Sequence, residues 1–290
     1  MVSGLRALNR GRRVSRSKSG TALLFVVLFI FACVMAFPTA LIIANAFKPQ
    51  DELWVFPPRL VPNSPTLENF RDMFNIMSNS RVPFLRYIFN TVFITLTGTV
   101  GHIIISSMCA YPLAKKRFPG REAVFRVIVL SLMFNAAVTA IPNFLTMSWL
   151  RWIDSHLALI VPALGAPIGL YLMKQFMEQI PDALIEAARI DGASQWYTFW
   201  RIVMPNVKSA WLTLFLLSFQ SLWGIGNTSY IYSEELKTLP YALNQILAGG
   251  ISRAGVGAAV SVFMLTVPVL IFVFSQSNIV ETMASSGMKD

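Results

Sequence analysis

At 290 residues, 55% hydrophobic and only 13% charged, the chain is too apolar for an ordinary soluble domain; its mean hydropathy is +0.58. The net charge of +10 could suit a nucleic-acid binder, but the basic residues lie between long apolar runs and read as a membrane-topology signal. With two histidines and two cysteines, no metal-spaced cluster and no nucleophile–base signature stands out, which argues against a membrane enzyme.

Uncharged runs cover 21–47, 87–114, 127–150, 155–173, 209–233 and 254–280. Each can cross a hydrocarbon core of about 30 Å as a helix rising about 1.5 Å per residue, so six spans are expected. If the N-terminus is cytoplasmic, segments 1–20, 115–126, 174–208 and 281–290 hold 16 of the 24 basic residues, while the acidic ones divide 7 and 7. That bias places both termini inside.

In chain order, the basic segment Arg6–Lys18 could open a signal peptide. The apolar run behind it is too long for a cleaved h-region and lacks a cleavage site, so a retained first helix with its basic flank on anionic lipid is expected. Span one closes at Phe47-Lys48-Pro49. The external stretch that follows is rich in proline and aromatics; Trp54, Phe56 and Phe70 can pack on the bundle's outer face. It is either a lid or part of a platform for an external partner. Thr66 is placed to cap a short helix over 68–77.

Cys33 and Cys109 fall inside spans and read as small apolar core residues. His102, in span two, either serves function as an ionisable group or stays neutral and bonds a neighbouring helix. Pro162 and Pro167 predict a bend in span four, and Gly165 and Gly169 have the spacing of a close helix contact. Trp149, Trp152, Tyr230 and Tyr232 suit an interfacial belt.

The charged segment 174–208 must lie outside lipid. Pro181 and Asp182 suit a helix start, Leu184, Ala187 and Ala188 share one helical face, and Gly192 is placed as a stop. Ser194 can cap a second helix in which Trp196, Phe199, Trp200 and Val203 recur at helical spacing until Pro205. The small residues would let another protein's backbone approach closely, with Glu186 offering a charge-assisted contact. A membrane anchor is the competing reading of the same pair.

Glu186-Ala187-Ala188-x-x-Asp191-Gly192-Ala193, followed by Ile202 and Pro205, resembles the EAA motif of ABC importer permeases. Phe47-Lys48-Pro49, Phe56-Pro57-Pro58 and Pro65 to Phe70 are similar to carbohydrate permeases of the maltose type. Lys237 to Leu243 and the tail Val280 to Lys289 resemble the branch for complex and acidic oligosaccharides, alginate importers included.

The resemblance implies an all-α membrane protein with the six transmembrane helices of the type I ABC importer permease fold, multi-pass in the inner membrane, both termini cytoplasmic. Residues 1–20 would form a basic N-terminus, 21–280 the transmembrane domain with coupling segment 174–208, and 281–290 the tail. Glu186, Ala187, Ala188, Asp191, Gly192, Ala193, Ile202 and Pro205 would contact one of two ATP-binding subunits. Those subunits, not this chain, would hold ATP and magnesium; no G-x-x-x-x-G-K-[ST] occurs here. Further partners implied are a second homologous six-span permease, a solute-binding protein, the oligosaccharide and membrane lipid.

Asn135, Asn143, Gln220, Trp223 and Asn227 are the candidates for the substrate passage; helix–helix glue is the plainer reading of each. Tyr232, Lys237, Tyr241 and Asn244 are the candidates for binding-protein contact. A secondary carrier or channel for a small solute is the alternative. It is disfavoured because all fourteen acidic residues fall outside the six runs and no internal repeat is visible.

Overall fold

The computed structural model describes residues 18–78, 82–134, 136–226 and 229–286, and every extended regular element among them is helical. In chain order these are α1 (Lys18–Ala46), α2 (Glu68–Ser78), α3 (Phe84–Lys115), α4 (Arg121–Ser131), α5 (Ala136–Trp149), α6 (Leu157–Leu164) and α7 (Pro167–Glu178). Then follow α8 (Asp182–Ile190), α9 (Gln195–Thr198), a π-helical turn (Phe199–Val203), α10 (Met204–Asn206), α11 (Lys208–Trp223), α12 (Leu239–Leu247) and α13 (Ala254–Ser286).

Four of the described helices are long and apolar enough to cross a membrane, counting Leu157–Glu178 as one, and the bent pair at 195–223 is a fifth candidate only when its two halves are counted together. The run 127–150 differs from the expected single helix: it is divided between α4 and α5. The run 209–233 is helical only to Trp223. Most of the N-terminal segment 1–20 and the last four residues of the tail lie outside the described residues.

The bundle is organised around α3, which packs on α6, α7 and α11. Without water to drive helices together, close packing and interhelical hydrogen bonds must hold them. A Cβ on Gly169 would stand 2.3 Å from His102 Nε2 and 2.5 Å from Ser106 Oγ, so only glycine lets α7 approach α3 this closely. Gly165 has no such neighbour; only one half of the expected glycine pair makes the contact.

Span four breaks where its prolines predict. α6 ends before Gly165, and α7 restarts with Pro167 at its first position. His102, only 2% exposed, fills the break: its Nε2 lies 2.9 Å from the Ala166 carbonyl and its Nδ1 2.7 Å from Ser218 Oγ. Because a carbonyl can only accept, Nε2 carries the proton. The imidazole thus joins α3, the span-four break and α11.

Two further ties close the bundle. Trp223 Nε1 donates to the Met264 carbonyl at 3.1 Å, fastening α11 to α13. Asn69 Nδ2 donates to the carbonyls of Ala46 and Lys48 at 3.0 and 2.7 Å, fixing α2 to the end of α1. Thr66 Oγ1 accepts from Glu68 N–H at 3.1 Å, as expected of a helix start. Cys33 and Cys109 depart from expectation: both are exposed rather than in the core.

Candidate functional site

The end of the bundle carrying Lys115 and segment 174–208 is built on one apolar cluster. Ala110, Tyr111 and Ala114 of α3 meet Met173 and Met177 of α7, Ile185 of α8, Phe199 and Val203 of the π-turn, and Leu214 of α11. The polar segment is therefore seated on three long helices at once.

α8 starts behind Pro181 and stops at Gly192, whose φ of 78° lies in the left-handed region. Gly192 N–H donates to Arg189 O at 3.0 Å and Ala193 N–H to Ala188 O at 2.9 Å. These two bonds form the Schellman pattern and satisfy carbonyls that the helix end would leave open. Ser194 Oγ then accepts from Tyr197 N–H at 3.2 Å and opens the second helix.

The buried faces differ from those expected. In α8, Ile185 and Ala188 are buried while Leu184 is 45% exposed. In the second helix, Phe199 and Val203 are buried, but Trp196 and Trp200 are 59% and 41% exposed. The π-turn over 199–203 inserts an extra residue into the helical repeat, so a spacing of 3.6 no longer predicts one shared face.

The turned-out surface consists of Glu186, Ala187, Asp191 and Gly192, with Ile190 87% exposed beside them. Ala188 faces the core, Ala193 and Ile202 are half-buried, and Pro205 is exposed. The structure thus brings Glu186, Ala187, Asp191 and Gly192 together on one small-residue surface, separate from Ile202 and Pro205 at the far end. Pro205 lies within α10 and does not end it; the chain breaks at Val207, where the helices on either side meet at 78°.

This surface is wired to the bundle by charge. Lys115 Nζ lies 2.7 Å from Asp182 Oδ1 and also donates to the carbonyls of Glu178 and Ile180. The hydrogen bond from Lys115, then its charge, holds the Asp182 carboxyl below the usual range. Glu178 pairs with Lys174 at 2.8 Å and Arg121 at 3.2 Å, so α4 is tied to α7 beside the same corner. Lys174 is 8% exposed and stands 3.8 Å from the centroid of the Phe125 ring.

Of the passage candidates, Asn143 lines a cavity of about 1150 Å³ between α3, α4, α5 and the broken span four. Ser106, Cys109, Thr139 and Trp152 share that lining, which is mostly apolar. Gln220 is exposed on α11, and Trp223 is 6% exposed, stacked on Phe219 and bonded to α13. Neither Gln220 nor Trp223 lines the cavity that holds Asn143. Asn135 and Asn227 lie outside the described residues.

At the opposite end, Tyr232 is 61% exposed and Asn244 is exposed. Lys237 and Tyr241 are instead engaged with one another: Lys237 Nζ donates to Tyr241 Oη and Glu234 Oε2, each at 2.7 Å. Burial works against the Lys237 charge, but these bonds outweigh it and raise its pKa. Asp154, at φ 59°, accepts the N–H groups of Tyr232 and Ser233 at 3.0 and 2.8 Å and the Ser233 hydroxyl.

The Lys115–Asp182 and Asp154–Ser233 ties were not anticipated. Asp182 was legible as a dipole partner for its helix, but the reach of Lys115 across the bundle leaves no periodic mark. Asp154 is the sole acidic residue of the short segment 151–154 between two apolar runs, a signal that could have found it.

Comparison with known proteins gives three kinds of match. Residues 102–285 match the family described as "Binding-protein-dependent transport system inner membrane component". The sn-glycerol-3-phosphate transport system permease protein UgpE of Escherichia coli O1:K1 / APEC is 28% identical over 268 residues, covering 90% of this chain and 94% of that protein. A chain of a bacterial ABC transporter involved in the import of the acidic polysaccharide alginate superposes with a TM-score of 0.78 at 24% identity, covering 90% of this chain and 98% of that one. A chain of a bacterial alginate ABC transporter in complex with an alginate pentasaccharide-bound periplasmic protein gives 0.62 at 18% identity, covering 88% and 91%.

Proposed function

The chain belongs to the family of binding-protein-dependent transport system inner membrane components, and we propose that it forms half of the passage of an ATP-driven oligosaccharide importer. It is a multi-pass inner-membrane permease subunit and not itself an enzyme. In the proposed assembly a second six-span permease supplies the other half, and two ATP-binding subunits hold nucleotide and magnesium. A solute-binding protein delivers the substrate to the outer face. Both termini and segment 174–208 face the cytoplasm, a sidedness supported by the excess of basic residues in those segments.

The observation that carries this reading is α8. Glu186, Ala187, Asp191 and Gly192 are exposed, while its other face is anchored to α3, α7 and α11 through Ile185 and Asp182. A helix held from behind and small in front suits docking in an ATPase cleft. Closure of the ATP-binding subunits would push α8; the Lys115–Asp182 pair and the shared apolar cluster would pass the push to the ends of α3 and α7. The break at Gly165–Ala166 gives span four a place to bend in response.

An anionic, hydroxyl-bearing substrate is supported by the relatives, whose names specify sn-glycerol 3-phosphate and the acidic polysaccharide alginate; of the two, we favour the alginate-type sugar. On this reading Asn143 and its neighbours meet the sugar, while Tyr232 and Asn244 offer exposed groups to the binding protein and Lys237 and Tyr241 hold that loop in shape.

In the test, Glu186→Lys and Gly192→Pro are made in the assembled importer. Both variants are expected in the membrane at wild-type amounts but without substrate-stimulated ATP hydrolysis; normal stimulation in both sinks the coupling assignment.

A further inference from the structure

The second half of segment 174–208 carries a surface that the docking role of α8 does not use. Trp196, Tyr197 and Trp200 are 59%, 57% and 41% exposed, a large aromatic area for one short helix. The Trp196 and Trp200 rings lie parallel, 6.4 Å apart at 4°, and Arg201, next in sequence to Trp200, is exposed. Among the described residues Arg201 makes no ion pair with a carboxylate. The opposite face, with Phe199 and Val203, is spent on the bundle core.

Orientation supplies a second, independent observation. Residues 195–206 meet α11 at 78°. If α11 crosses the bilayer, this helix lies nearly in the membrane plane, at the level where indole and phenol rings settle between acyl chains and headgroups. A guanidinium there faces the lipid phosphates and can bond one in bidentate fashion.

We propose that Trp196, Tyr197, Trp200 and Arg201 form a binding site for the headgroup of an anionic phospholipid in the cytoplasmic leaflet. The inference rests on the cytoplasmic placement of segment 174–208. It adds to the docking role a second contact: α8 meets the ATPase subunit while the adjoining helix is held in register with the lipid surface. Charge complementarity favours this occupant, since the segments on that side hold 16 of the 24 basic residues against half of the acidic ones.

The experiment uses the complete importer in nanodiscs of phosphatidylcholine with phosphatidylglycerol as the anionic probe. Lipid retained after extraction is read by native mass spectrometry for the wild type, Arg201→Gln, and Trp196→Ala combined with Trp200→Ala. The expected result is preferential retention of phosphatidylglycerol by the wild type. Arg201→Gln should lower it by about fivefold, the worth of one cation at a lipid surface, with phosphatidylcholine unchanged. The tryptophan pair should lose phosphatidylglycerol as well.

Equal phosphatidylglycerol retention in all three proteins overturns the proposal. So does loss of the ATPase subunits from the tryptophan variant with lipid retention unchanged, which would assign the face to that partner instead. Coupling is read separately through Glu186→Lys, so failure of the docking role and failure of the lipid site give different results.

Discussion

Lys115, the last residue of α3, reaches 2.7 Å to Asp182, the first residue of α8, and its side chain is 6% exposed against 75% for the aspartate. The pair joins α3, the most connected helix of the bundle, to α8, whose outer face carries Glu186, Ala187 and Ile190 in the open. An exposed carboxylate contributes little by charge alone. The buried ammonium matters more, because it also bonds the two carbonyls that close α7.

Lys115→Met should therefore cost more than Asp182→Asn. Losing the donor leaves the Glu178 and Ile180 carbonyls without their partner, about 1–3 kcal/mol of local stability. Substrate-stimulated ATP hydrolysis should fall at least fivefold in Lys115→Met, with basal hydrolysis retained, and by less in Asp182→Asn. A transport assay paired with ATPase rates separates these outcomes from simple loss of protein.

The same pair sets a pH dependence. The folded-state pKa of Asp182 is depressed, so its contribution is present above the unfolded carboxylate value and is lost as pH falls through the folded one. Asp154 is depressed too, chiefly by the Ser233 hydroxyl and N–H, and follows the same sign. Hydrogen exchange at 182–190 and 230–233 should be level from pH 5 to 8, after correction for the intrinsic rate. Protection should drop below about pH 4, where carboxylates titrate.

Asp154→Ala removes three acceptor contacts and leaves a β-carbon at a left-handed φ of 59°. Discounted for solvent, the cost is about 1–2 kcal/mol. The effect should be local, read as faster exchange at Tyr232 and Ser233 with the melting temperature of the bundle little changed. Asn, which tolerates that φ and keeps one oxygen, should recover part of the protection.

His102 and Gly169 should behave as one unit. Gly169→Ala places a methyl 2.3 Å from His102 Nε2 and should destabilise the bundle by about 1–3 kcal/mol through overpacking. His102→Ala leaves Ala166 and Ser218 without their partner and should cost about 2–4 kcal/mol. Removing the imidazole relieves both histidine contacts of the methyl, leaving Ser106 Oγ at 2.5 Å to rotate away, so the double variant should be more stable than the sum of the two effects. Thermal unfolding in detergent of the four proteins measures the coupling.

Asn143 and Trp223 should separate by kind of defect. Asn143→Ala, on the 1150 Å³ cavity, should change the transport KM with little loss of stability. Trp223→Phe removes the hydrogen bond to Met264 and should lower stability by about 1 kcal/mol while leaving KM near wild type.

The sequence by itself determined the membrane class, the polar segment between two apolar spans, and the stop at Gly192. Lipid-length apolar runs and left-handed turns are local properties that survive without any knowledge of partners. Pro162 and Pro167 likewise marked the span-four break, because a missing N–H acts on its own helix. Only the tertiary structure decided which surfaces face out. It turned Leu184, Trp196 and Trp200 outward, placed both cysteines on exposed faces, and spent Trp223 on α13. Residues distant in sequence set those outcomes. The reach of Lys115 to Asp182, and the fit of Gly169 against His102, exist only once α3 and the helices beside it have packed.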